Sequence, residues 1–88
     1  MSETGQYKYF TVEPRPLEGK RATCDYDIQG RSGGWLGQIV WYGRWRQYVL
    51  EASPDVVWSE GCLADVADFI GRANAILRIR RRATAVKP

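Results

Sequence analysis

At 88 residues the chain has room for one hydrophobic core, burying about 60% of the surface its unfolded form exposes. Its hydrophobic fraction of 44% is ordinary for a globular protein, and no apolar run approaches the ~20 residues that cross a bilayer. The net charge of +3 permits binding to nucleic acid or acidic surfaces without requiring it.

A single domain is expected, with residues 1–6 and 83–88 as loose tails. Residues 1–6 have no basic n-region or apolar h-region, so the expected setting is cytoplasmic. Residues 7–12 alternate as an edge strand does, and Pro14 and Pro16 end it because proline lacks a ladder donor. Residues 17–20 read as loop. Residues 21–28 form a cleaner strand, with Ala22, Cys24, Tyr26 and Ile28 on one face and Thr23, Asp25 and Asp27 on the other. The glycine-rich stretch 30–34 is a turn.

Residues 35–42 and 45–51 make a hairpin. Gly43-Arg44 suits a two-residue type II′ loop, which pairs Tyr42 with Trp45, Trp41 with Arg46, Val40 with Gln47 and Ile39 with Tyr48. Gly37, Ile39, Trp41, Tyr48 and Leu50 then share the more apolar face, assigned to the core. Gln38, Val40, Tyr42, Trp45, Gln47 and Val49 share the other. Residues 56–58 are a short fourth strand or an extended lead-in. Ser59 is a good helix N-cap. From it a helix runs to about Arg80, with Leu63, Val66, Ala67, Ile70, Ala73, Asn74 and Leu77 as its stripe, widened by Phe69 and Ile76. The expected fold is α+β: an antiparallel meander of three to four strands with one long C-terminal helix packed on one face.

The sequence 36–48, dense in Trp, Tyr and Arg, together with 62–70, resembles a group of small proteins of bacteria and their phages. The resemblance covers roughly residues 23–74 and implies no established activity. It implies a proline near position 43 in relatives, and with it a four-residue loop in place of the type II′ turn. It also implies an accessory role for a phage or prophage protein.

Two groups of residues point to function. Val40, Tyr42, Arg44, Trp45 and Gln47 concentrate the types enriched at protein–protein hot spots, and they are the candidate partner-binding patch. The competing reading is a cross-strand aromatic contact worth roughly 0.2–1 kcal/mol to the sheet, with Arg46 over Trp41 as a cation–π clamp. Arg78, Arg80, Arg81 and Arg82 are candidate phosphate contacts, with outer-face aromatics to stack bases. Against this, Glu60, Asp65 and Asp68 start the helix and the arginines end it, as the helix dipole favours. Asp68 and Arg72 also form an i, i+4 pair.

Catalysis is not expected. There is no histidine to serve as general base, and Asp25 and Asp27 read as solubilising charge on a strand face. No metal or cofactor is expected, since Cys24 and Cys62 match no zinc spacing and read as reduced thiols. The expected function is protein binding without catalysis, the alternative single-stranded nucleic-acid binding. A homodimer through the broad helix stripe is compatible with either. A membrane-surface role is disfavoured by the acidic first half of the helix.

Overall fold

The computed structural model describes residues 5–16 and 23–86, with side chains described as far as Arg80. The loop expected at 17–20, the first residues of the strand expected from Arg21, and the side chains of Arg81 and Arg82 lie outside the described residues.

Five strands run β1 (Gly5–Gln6), β2 (Phe10–Pro14), β3 (Tyr26–Gly30), β4 (Trp35–Tyr42) and β5 (Gln47–Ala52), followed by helix α1 (Glu60–Val86). They form one antiparallel sheet in the order of the sequence. The strand count exceeds the expected three to four because the amino-terminal stretch folds back on itself. The Tyr7 N–H donates to Phe10 O at 2.9 Å, and Gly5 and Gln6 pair with Val12 and Thr11. Residues 5 and 6 are thus strand rather than tail. Pro14 closes β2, where a missing donor costs the ladder least. Residues 56–58 are not a strand. Trp58 instead lies edge-on to Phe10, ring centroids 6.4 Å apart.

The face assignment from alternation holds. Cys24, Tyr26, Ile28, Ile39 and Tyr48 are buried together with Phe10 and Val12 under the helix residues Val66, Phe69 and Ala73. The β4–β5 pairing differs from that of a two-residue loop. Tyr42 pairs with Gln47, Trp41 with Tyr48, Val40 with Val49 and Ile39 with Leu50. A four-residue loop, 43–46, moves the register by two; a period of two returns the strand side chains to their expected faces, while Trp45, expected in the strand, lies in the loop.

A bulge between β3 and β4 breaks the alternation at the start of β4. Ile28 pairs with Gly37 but Gln29 with Trp35, so Leu36 is the extra residue. Bulges re-aim side chains, and here Leu36 turns to the core while Trp35 turns outward to Asp27. Gly37 sits against β5 so closely that a Cβ would meet Glu51 O at 2.7 Å.

The helix is capped as expected, Ser59 Oγ accepting from the Cys62 N–H at 3.1 Å. Its buried face is rotated from the expected stripe. Leu63 is 48% exposed and Ala67 is exposed, while Phe69 is fully buried at the centre. The helix also runs past Arg80, to Val86. Two polar ties fix its position. Tyr7 donates to Asp68 at 2.9 Å and accepts from Arg72 at 2.6 Å, fastening the amino-terminal hairpin to the helix. Asn74 Oδ1 accepts the Tyr48 N–H at 2.8 Å. β5 is an edge strand, so Asn74 takes up a donor that no sixth strand does. No helix is long and apolar enough to cross a membrane among the described residues.

Candidate functional site

The outer sheet face has two chemically distinct ends. At one, Arg15 follows β2 and reaches across β3. Its Nε donates to both carboxylate oxygens of Asp27 at 3.1 Å, and Nη2 donates to Oδ1 at 2.9 Å. Nη2 also donates to Gln38 Oε1, and Nη1 lies 3.7 Å from Asp25. The Trp35 indole donates to Asp27 at 2.9 Å, and Gln38 passes the network on to Glu51 at 2.7 Å. Partial burial pushes the Asp27 carboxyl up. The hydrogen bonds from Arg15 and Trp35 and the Arg15 charge outweigh it, holding Asp27 below the usual carboxylate range. Asp25 and Asp27 do share a face, as the alternation required, and both are engaged by one guanidinium.

The other end is the tip of the β4–β5 hairpin. Loop residues 43–46 turn through two hydrogen bonds, Trp45 N–H to Tyr42 O at 3.2 Å and Arg46 N–H to Gly43 O at 3.3 Å. Arg46 then takes a left-handed conformation, φ 54°, where four-residue loops rejoin the strand. Of the proposed patch, Tyr42, Arg44, Trp45 and Gln47 are exposed and Val40 is half-buried beside Val49. Tyr42 and Trp45 meet edge to face with centroids 4.8 Å apart, across the loop rather than across the ladder. Trp45 is nonetheless 62% exposed. Among the described residues, no carboxylate lies within ion-pair distance of Arg44 or Arg46.

Trp41 faces Tyr48 across the ladder, edge to face at 5.5 Å, and not Arg46 as the shorter loop would have it. Burial pushes the Tyr48 phenol up. Behind the tip the helix comes close. Trp41, Arg46, Asn74, Leu77 and Arg78 line a small cleft of about 50 Å³. Of the arginines proposed to contact phosphate, Arg78 and Arg80 are exposed, and Arg78 is thereby brought beside the hairpin. In the sequence the arginines of the tip and of the helix are separate signals. Only the packing of α1 over the edge of β5 joins them, through Asn74, which the helical periodicity places in the apolar stripe.

Among the described residues no group of three or more His, Cys, Asp or Glu side chains is placed to hold a metal ion. Cys24 and Cys62 are unbridged. No protein-family model matches the chain, and neither a curated protein nor a solved structure matches it.

Proposed function

We propose that this domain works by binding a protein partner through the hairpin tip, with Val40, Tyr42, Arg44, Trp45 and Gln47 as the contact patch. The observation that carries the reading is Trp45, 62% exposed and packed edge to face against Tyr42 at the end of the hairpin. A large aromatic already fixed in place loses little entropy on docking, which is why Trp, Tyr and Arg dominate hot spots. The setting implied by the resemblance is that of a phage or prophage accessory factor acting on a host or phage protein; the same reading takes the domain as non-enzymatic and cytoplasmic.

Trp45→Ala is the test. The variant is expected to fold as the parent does, by near-ultraviolet circular dichroism, and to lose partners that the parent captures from a host lysate. Unchanged capture by a folded variant would make the tip a structural device.

Nucleic-acid binding is kept as a second reading because Arg46 and Arg78 border one cleft. Opposing it, Asp25, Asp27 and Glu51 put negative charge on the sheet face a strand of nucleic acid would cross. Phosphate contacts predict a steep loss of affinity with salt, nearly one counterion per contact. An absence of binding to single-stranded DNA at low salt would dispose of this reading.

A further inference from the structure

We propose that the cleft between the hairpin loop and α1 is an anion-binding notch that accepts a carboxylate side chain from an acidic segment of the protein partner. This rests on the reading of the tip as a protein-binding surface and supplies the partner's chemistry.

The size of the cleft restricts its occupant. At about 50 Å³ it is far below the roughly 300–1,000 Å³ of small-molecule sites, and it has no room for a base or a cofactor. It fits the end of one side chain. Its lining sets the charge. Arg46 and Arg78 both border it, and among the described residues neither has a carboxylate within ion-pair distance, whereas Arg15 and Arg72 do. A guanidinium fork matches a carboxylate in a bidentate pair, and two of them around one cleft repel each other until an anion enters. Asn74 adds a donor. Its Oδ1 is committed to the Tyr48 N–H, so the Nδ2 hydrogens are what it offers the cleft it lines. The apolar walls, Trp41 and Leu77, lower the local dielectric and strengthen each of these contacts.

The conformation of Arg46 is a second, independent sign. At φ 54° a glycine or asparagine is favoured, and arginine is held there at a cost to the fold. Arg46 is nevertheless one of the residues that line the cleft. A carboxylate is preferred to a nucleic-acid phosphate because the end of the outer sheet face away from the tip carries Asp27 and Glu51. A polyanionic backbone continuing across it meets repulsion, and a single acidic side chain does not.

The test is a titration of the ¹⁵N-labelled chain with blocked hexaglutamate, hexaglutamine and hexathymidylate at one ionic strength. The signals read are the Trp41 indole N–H and the Asn74 side-chain amide. Hexaglutamate is expected to shift both saturably and to leave the Trp58 indole in place. Arg46→Gln and Arg78→Gln are each expected to weaken binding about tenfold, by the loss of one charge-assisted pair. Arg46→Gly is expected to weaken it as much while raising the unfolding midpoint by a few degrees, a combination that a purely structural arginine would not give. Equal shifts with hexaglutamine, or unchanged affinity in the arginine variants, would overturn the notch. Tighter binding of hexathymidylate at the same signals would overturn it in favour of nucleic acid. The tip reading fails separately: saturable hexaglutamate binding with undiminished capture by Trp45→Ala supports the notch and removes the patch.

Discussion

The two ends of the outer sheet face handle their charged and aromatic side chains in opposite ways. Near β2, Arg15, Asp25, Asp27, Trp35, Gln38 and Glu51 spend their hydrogen bonds on one another. At the hairpin tip, Tyr42 and Trp45 touch each other and otherwise face solvent, and Arg44 and Arg46 have no carboxylate partner among the described residues. Both ends are rich in the residue types that sequence reading associates with binding. What separates them is whether the chain itself supplies the partner. A tryptophan whose indole already donates to a carboxylate, as Trp35 does, carries little functional implication. Trp45, with its surface left open, carries more.

The contrast is broken most severely at the residue that holds helix and tip together. Asn74→Ala leaves the Tyr48 N–H without its acceptor in a buried site, at a cost of about 1–3 kcal/mol. Urea unfolding is expected to show that loss, and hydrogen exchange is expected to show faster exchange of the Tyr48 amide. A loss under about 0.5 kcal/mol with unchanged exchange would mean that water replaces Asn74 freely and that the helix is not anchored there.

The next effect belongs to the self-satisfied end. Asp27→Ala removes the shared acceptor of Arg15 and Trp35. These side chains are partly exposed, so the expected cost is discounted to about 1 kcal/mol, with tip binding unaffected. The pH dependence carries a sign. Asp27 is depressed in the folded protein, so its contribution is fully present above the unfolded value near ~4 and is lost as pH falls through the lower folded value. Acid titration of stability is therefore expected to be flatter in Asp27→Asn than in the parent over that range. Parallel curves would mean that the network does not hold the carboxylate as described.

Much of the fold was legible in the sequence because strand alternation survives an error of two. The hairpin loop is two residues longer than a type II′ turn, yet Ile39, Trp41, Tyr48 and Leu50 keep their face. The amino-terminal strand pair was not legible. Gly5 and Gln6 carry no strand signal of their own and are held by pairing with Thr11 and Val12. Nor was the bulge at Leu36, which is what turns Trp35 out to Asp27. The helix was placed correctly and rotated wrongly. Cys62, Val66, Phe69 and Ala73 satisfy a helical period as well as Leu63, Val66, Ile70 and Leu77 do, and only the sheet beneath decides between them. The patch itself was readable as composition. The cleft beside it was not, since Arg46 and Arg78 are distant in sequence and come to line one cleft only through tertiary packing.

The central claim is that the tip's aromatics serve an external partner rather than the fold, and it is tested most directly by the urea unfolding free energy of Tyr42→Ala/Trp45→Ala. The account predicts a loss of no more than about 1 kcal/mol, the worth of one exposed aromatic pair. A loss of about 3 kcal/mol or more, the scale of core truncations, would show that the hairpin uses these rings to hold itself together and would contradict the account.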